Sequence, residues 1–141
     1  MFHKIKNVTP LSNFTLLAHF VNGDDKLYDM KPLMEQYDVF HTLMDVQGLF
    51  EQVKVDVGGY GIIWNEDVDL DAEEIWVNGK ETETPFTGLI SLSDATIIWK
   101  LNESTLRKAI SYGKLRNGID VFNFGKQWVV TASAMEREYS K

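Results

Sequence analysis

The segment NESTLRKAISYGKL, which begins at Asn102, places cationic and hydrogen-bonding side chains on one face of a predicted helix. Its apolar residues Leu106, Ala109 and Ile110 recur at the i, i+3, i+4 spacing of a buried helical stripe. The opposite face therefore carries groups that can donate or accept hydrogen bonds. Asn102 is suited to begin the helix as its N-cap, and Gly113 is suited to end it in the left-handed conformation. Alone, such a segment is typical of any solvated surface helix.

A second short helix is expected immediately before this segment. Ser91 or Ser93 can cap it, and a turn of about three residues around Lys100-Leu101 separates the two helices. Its apolar residues are predicted to line one side: Leu92, Ala95, Ile98, Trp99. Two helices joined so closely are typical of the helix-turn-helix unit, whose second helix presents its N-terminal residues to base edges in the major groove of duplex DNA.

The residues predicted to contact DNA fall into two groups. The first group lies in the first turns of the second helix, where side chains can reach bases: Glu103, Ser104, Thr105, Arg107, Lys108. Two short strands, Ile119 to Phe124 and Gln127 to Val130, are expected to follow as a hairpin, or wing, before a last helix capped by Thr131. The second group lies around this wing and is predicted to contact phosphates: Lys114, Arg116, Lys126.

The runs SLSDATIIWKLNESTLRKAISYGKL and FGKQWVVTASAMEREY also carry a family resemblance. They resemble small helix-turn-helix modules of the excisionase-like type, which commonly show an S-x-x-E-A-A start, an S-T-[LV]-R motif and a G-x-x-W motif before a final helix. The chain departs from that pattern at Asp94-Ala95-Thr96, where Glu-Ala-Ala is usual, and at Asn102, where Ser is commoner. The resemblance implies a DNA-binding module.

The charge distribution divides the chain into two parts. Residues 1–88 carry 6 Lys or Arg and 16 Asp or Glu, a net charge of −10, whereas residues 89–141 carry 8 and 5, a net charge of +3; together they give the −7 of the whole chain. Such a division predicts two units with different electrostatic tasks. We expect an acidic N-terminal domain at 1–80, a polar linker at 81–88 and a helix-turn-helix domain at 89–141.

The N-terminal part is predicted to form strands, hairpins and short helices. An opening strand should end at Thr9-Pro10, Asn22-Gly23 should form a hairpin turn, and a short helix should begin near Pro32. The segment NEDVDLDAEEIW is expected to be an acidic loop that leads into a helix capped by Asp71. The predicted fold class is therefore α+β: a small mixed β/α domain followed by a winged helix-turn-helix.

Three features of this part resemble the family of unknown function DUF2442: Phe20-x-Asn22-Gly23, Tyr28-Asp29 and VKVDVGGYGIIWNEDVDLDAEEIW. The similarity covers nearly all of residues 4–79. It implies a compact mixed β/α fold found in bacteria, sometimes attached to a helix-turn-helix domain, in settings reminiscent of toxin–antitoxin pairs. It implies no catalytic residues.

The remaining residue patterns argue against catalytic and metal-binding chemistry. The alternate carboxylates of Asp67, Asp69 and Asp71 begin like a calcium loop, but position six is Ala72 and position twelve is Asn78. Gly58, Gly59 and Gly61 lack the Lys and Ser/Thr of a phosphate-binding loop, and the three histidines have no paired spacing. With no cysteine and no nucleophile motif, we expect no enzymatic activity, no cofactor and no metal.

The sequence also bears on location and partners. It has no apolar run of ~18 residues and no signal-peptide core, so we expect a cytoplasmic protein without a membrane segment. The predicted function is a DNA-binding transcriptional regulator, antitoxin-like, that binds duplex DNA as a homodimer and whose acidic domain mediates pairing or binds a basic protein such as a toxin. The alternative is a protein-protein interaction adaptor with a degenerate helix-turn-helix, which the overall acidity and Glu103 favour.

Overall fold

A computed structural model describes residues 2–140, except for the side chain of Phe124. The polypeptide forms two compact units. The N-terminal unit comprises Asp24–Thr84 with the residues up to Phe20, and the C-terminal unit comprises Val21–Gly23 with the residues from Pro85 onward. None of the helices in the described range has both the length and the apolar character needed to cross a bilayer.

Two antiparallel sheets and three short helices build the N-terminal unit. Its elements are β1 (Ile5–Leu11), β2 (Thr15–Phe20), β3 (Asp25–Asp29), α1 (Lys31–Gln36), α2 (Asp38–Asp45), β4 (Lys54–Val55), β5 (Gly61–Asn65), β6 (Val68–Asp71), α3 (Ala72–Asn78) and β7 (Lys80–Thr82), with 3-10 turns at Ser12–Phe14, Phe50–Gln52 and Val57–Gly59. The sheets have the orders β1-β2-β3-β7 and β4-β5-β6. The fold is thus mixed α/β, as expected.

The first hairpin confirms the Asn22-Gly23 prediction, with β2 and β3 paired antiparallel on either side of the turn. The expectation that β1 ends at Thr9-Pro10 is wrong, because the strand continues to Leu11 and Pro10 lies opposite Leu16. Proline is tolerated there because β1 is an edge strand. An N–H group on the outer side of an edge strand has no neighbouring strand to which it could donate a hydrogen bond.

The acidic segment is a strand rather than the predicted loop. Val68 is buried and Leu70 is half-buried, whereas Asp69 and Asp71 are exposed, so alternation directs the carboxylates to solvent. Asp71 then caps α3 as predicted, because its side chain accepts a hydrogen bond of 3.0 Å from the Glu73 N–H.

The predicted linker at 81–88 also differs from the structure at its start. Lys80–Thr82 forms β7, and Leu27 of β3 lies opposite Lys80. Polar and charged residues suit such an edge strand, since charges there discourage pairing with another chain.

The helix α3 is followed by Gly79, which has a φ of −73° rather than the left-handed conformation. Glycine is needed because a Cβ at this position would collide with the carbonyl oxygen of Ile75.

The C-terminal unit is a small sheet covered by three helices. Its elements are β8 (Leu89–Ser91), α4 (Leu92–Trp99), α5 (Glu103–Tyr112), β9 (Val121–Phe124), β10 (Gln127–Thr131) and α6 (Ala132–Tyr139). The strands form an antiparallel sheet of order β8-β10-β9. The buried core contains Ile90, Leu92, Ala95, Leu106, Ala109, Leu115, Val121, Val130, Ala134 and Met135. The residues of α5 in this core are Leu106 and Ala109, so one side of the helix is buried.

The N-caps of the helices in the C-terminal unit largely agree with those predicted from the sequence. The Ser91 hydroxyl accepts from the Asp94 N–H at 3.2 Å, and the Thr131 hydroxyl accepts from the Ala134 N–H at 3.1 Å. Asn102 occupies the N-cap of α5, but among the described residues its side chain accepts no capping hydrogen bond. There the Thr105 N–H donates to the Asn102 carbonyl oxygen instead.

One apolar prediction for α4 is wrong. Leu92 and Ala95 are buried and Trp99 packs against the core, but Ile98 is 40% exposed. The three inward residues follow i, i+3, i+7, which makes the buried stripe narrow and leaves Ile98 on its flank.

Leu106 is fully buried, so Leu106→Ala should lower the free energy of unfolding of the C-terminal unit by about 2–5 kcal/mol. The exposed neighbour Lys108 supplies a control, since Lys108→Ala should change it by less than about 0.5 kcal/mol. Hydrogen exchange of the backbone amides in β10 and α6 measures the free energy of unfolding of both variants. Equal exchange in the two variants would show that α5 is not anchored through Leu106.

Candidate nucleic-acid interface

The connection between α4 and α5 consists of Lys100, Leu101 and Asn102. Lys100 adopts the left-handed conformation, with φ 55° and ψ 53°, and the Leu101 N–H donates to the Thr96 carbonyl oxygen at 2.9 Å. The Leu101 side chain packs against the core, which anchors the turn. A non-glycine residue in this conformation costs about 1–2 kcal/mol, so the surrounding contacts must hold the connection in place.

The outward face of α5 carries the first group of predicted site residues. Ser104, Thr105, Arg107 and Lys108 are all exposed. Tyr112, which the sequence analysis did not include, is 82% exposed. Because Thr105, Lys108 and Tyr112 follow i, i+3, i+7, they form one stripe along the helix. The i+7 spacing from Thr105 could have identified Tyr112 in advance.

Glu103 and Arg107 are bonded to each other on the first turns of α5. The Arg107 Nε donates to the Glu103 carboxylate at 3.0 Å, and the two side chains are about half exposed. An exposed i, i+4 pair of this kind contributes only about 0.3–0.5 kcal/mol, so it opens readily for a competing partner. Lys108 has no ion pair with any described residue, and its charge is available to a ligand.

The second group of predicted residues is not gathered on the hairpin. Lys114 and Arg116 lie in the segment between α5 and β9, whereas Lys126 lies exposed at the turn between β9 and β10. The Lys114 Nζ lies 4.7 Å from the centre of the Tyr139 ring, a cation–π contact. The Arg116 Nε lies 3.5 Å from a carboxylate oxygen of Asp120. Of the three, Lys126 alone belongs to the hairpin itself.

Asp120 is a structural residue that the sequence analysis missed. Its nearly buried carboxylate accepts two hydrogen bonds from the Arg137 guanidinium, at 3.2 and 2.9 Å, and one from the Arg116 N–H at 2.9 Å. These hydrogen bonds, first those from Arg137, lower the pKa of Asp120 to about 2. The Asp120 carbonyl oxygen also accepts from the Thr131 N–H at 2.9 Å. The segment after α5 is thereby tied to the end of β10 and to α6.

The N-terminal unit contains a cleft of about 370 Å³ lined by Phe2, His3, Tyr60, Asp71 and Glu73. The His3 ring stacks on Trp76 with a centroid distance of 3.8 Å, and its backbone N–H donates to Glu73 at 2.6 Å. The hydrogen bonds from His3, first that of its backbone N–H, lower the pKa of Glu73. Between residues 2 and 140, no group of three His, Asp or Glu side chains is arranged to hold a metal ion. None of the predicted DNA contacts lies at this cleft.

The architecture defines a two-unit α+β protein with an acidic N-terminal unit. The sequence profile of the family described as "Protein of unknown function (DUF2442)" matches residues 5–81. The chain therefore belongs to the DUF2442 family, as its N-terminal motifs predicted.

Other comparisons add little. No curated protein matches the chain. A crystal structure from Nitrosomonas europaea, which bears the provisional name of DNA-binding protein, is similar to this chain with a TM-score of 0.48 and 14% identity, over 79% of this chain and 70% of that one. A similarity this low establishes neither a common fold nor a common activity.

The ion pair of Asp120 makes the C-terminal unit sensitive to acid. A carboxyl group whose pKa is lower in the folded state stabilises the fold above its unfolded pKa, and this contribution is lost as the pH falls through the folded pKa. Stability should therefore decrease between pH 3.8 and about 2 as Asp120 is protonated. Asp120→Ala should cost about 1.5–3 kcal/mol at neutral pH, because it removes hydrogen bonds between charged groups.

Unfolding followed through NMR signals of β10 and α6 measures both effects. Glu136→Gln, which removes an exposed carboxylate from the same unit, is the matched control and should leave the acid transition unchanged. An acid transition in the Asp120→Ala variant as large as that of the unmodified chain would assign the pH dependence to other groups.

Proposed function

We propose that the C-terminal unit is a winged helix-turn-helix of the excisionase-like type and that the protein is a non-enzymatic, DNA-binding transcriptional regulator. One observation carries the proposal: α5 follows α4 after only three residues and exposes a long polar face, and a β-hairpin comes after it. In helix-turn-helix proteins the second helix of such a pair lies in the major groove. The resemblance of the motifs around Ser91 and Trp128 to the excisionase-like modules supports the same assignment.

Charge supports a contact with DNA of limited strength. Residues 89–141 carry a net charge of +3, and the exposed Lys108 and Lys126 have no ion pair within the described part of the chain. Each phosphate contact contributes affinity through the release of counterions. A module with few such contacts gains from pairing, so the protein acts as a homodimer that binds two half-sites.

The acidic N-terminal unit has a separate task in this proposal. With a net charge of −10 over residues 1–88, it is unsuited to contact phosphates and suited to pair chains or to bind a basic protein. The toxin–antitoxin settings implied by the DUF2442 resemblance favour a toxin as that protein. The chain would then be an antitoxin-like repressor.

A protein-protein interaction adaptor is the second candidate, and two exposed apolar side chains favour it. Ile97 on α4 is 70% exposed and Tyr112 on α5 is 82% exposed. The ion pair between Glu103 and Arg107 points the same way, since it removes a cation from the DNA-facing side of α5. In this case α5 would contact a protein rather than DNA.

Salt dependence distinguishes the two candidates. Binding of the full chain to mixed genomic DNA fragments is measured at about 50 and 200 mM salt, where DNA contacts predict a steep loss of affinity. Lys108→Ala/Lys126→Ala should weaken binding to all sequences and reduce the salt slope by about one for each lysine. Lys54→Ala/Lys80→Ala, which makes the same charge change at exposed positions of the N-terminal unit, is the matched control and should bind as the unmodified chain does.

One result would contradict the proposed function as a DNA-binding regulator. Weak binding that is insensitive to salt, and equal in both double variants, would leave the adaptor as the better assignment. Ile97→Ser should then abolish binding to the protein partner and leave the fold intact, because the side chain lies on the surface of α4.

A further inference from the structure

We infer that Glu103 and Arg107 act as one unit that recognises a single C·G base pair in the major groove. This inference rests on the proposed DNA-binding function and specifies the base contact made by the same helix. The observation behind it is the hydrogen bond between the two side chains, 3.0 Å long, on the exposed first turns of α5.

The chemistry of the two side chains restricts what each can contact. An ionised carboxylate only accepts hydrogen bonds, so Glu103 requires an amino group, and cytosine N4 is the usual partner of Glu in the major groove. A guanidinium only donates hydrogen bonds, so Arg107 requires acceptors, and guanine O6 and N7 are its commonest partners. An A·T pair also presents an amino donor beside a carbonyl acceptor, but thymine offers the guanidinium one acceptor, O4, and a methyl group, whereas guanine offers two acceptors.

The geometry of the pair matches one base pair rather than two distant ones. In a C·G pair the cytosine N4 donates to the guanine O6, so donor and acceptor lie side by side at the length of an N–H···O bond, about 3 Å. The Glu103 and Arg107 groups are separated by the same distance and have the opposite hydrogen-bonding roles. The couple can therefore lie against the edge of a C·G pair with its mutual hydrogen bond kept.

The negative charge of Glu103 also affects which DNA sequences are bound. A carboxylate in the first turn of α5 repels phosphates, and it finds no donor on a guanine or a thymine that stands where the cytosine should be. Unpaired polar groups at an interface disfavour the wrong partner, so Glu103 should lower affinity for other sequences more than for the correct one. With few free cations nearby, base contacts then account for a larger share of the binding.

The test is selection of binding sites from a random duplex library by the full chain and two variants. The unmodified chain should enrich sites with one fixed C·G pair in each half-site. Glu103→Gln should shift that position from C toward A, because glutamine pairs with adenine N6 and N7, with a change in preference on the order of 10-fold. Glu136→Gln removes the same charge from α6 and should change affinity uniformly, without changing the preferred base.

A second arm alters the DNA, and its first measurement uses the unmodified chain, so that measurement is independent of whether a variant folds. Replacing the fixed guanine by 7-deazaguanine removes the N7 acceptor and should weaken binding of the unmodified chain. The same replacement should have no effect on Arg107→Ala. The chain could bind duplex DNA at sites that lack a fixed C·G pair, or Glu103→Gln could behave as Glu136→Gln does. Either result would contradict the inferred base contact and leave the proposed DNA-binding function unaffected. No duplex binding at all would overturn both.

Discussion

The carboxylate of Asp120 is the polar group that ties the segment after α5 to the rest of the C-terminal unit. That segment contains no helix or strand up to β9, and buried Leu115 anchors its beginning. Asp120 fixes its end because it accepts hydrogen bonds from the backbone of Arg116 and from the side chain of Arg137 on α6. Its own carbonyl oxygen accepts from Thr131, where β10 ends and α6 begins. One residue thereby joins three parts of the chain.

This constraint reduces the positive charge that a ligand can use. Arg116 and Arg137 lie against Asp120, and Lys114 lies over the ring of Tyr139. Some of the 8 Lys and Arg side chains in residues 89–141 therefore hold the fold together and are not available for phosphates. Lys108, which has no ion pair with a described residue, remains on the outer face of α5. A module of this composition gains more from well-placed hydrogen bonds than from general attraction to a polyanion.

Local features of the fold could be predicted from the sequence, whereas features that depend on distant residues could not. The buried face of α5 and its end at Gly113 follow from helical periodicity and from a left-handed cap with φ 82°, both set by adjacent residues. The strand β6 was missed because its apolar alternation is short and acquires meaning only beside β5. The contact between Asp120 and Arg137 spans 17 positions, and neither residue has a local pattern that indicates the other. The exposed stripe ending at Tyr112 was within reach of the sequence, because helical spacing alone defines it.

The net charge of −7 does not decide whether the chain binds DNA. At physiological ionic strength, charges are screened over about 8 Å, so a lysine that touches a phosphate acts with little regard to carboxylates farther away. What the overall charge affects is the long-range approach and the weak binding to arbitrary sequences. In the proposed complex, an acidic chain with a locally positive helix would therefore associate with DNA slowly and release most sequences quickly. Discrimination would then depend on the few residues of α5 that can distinguish one base edge from another.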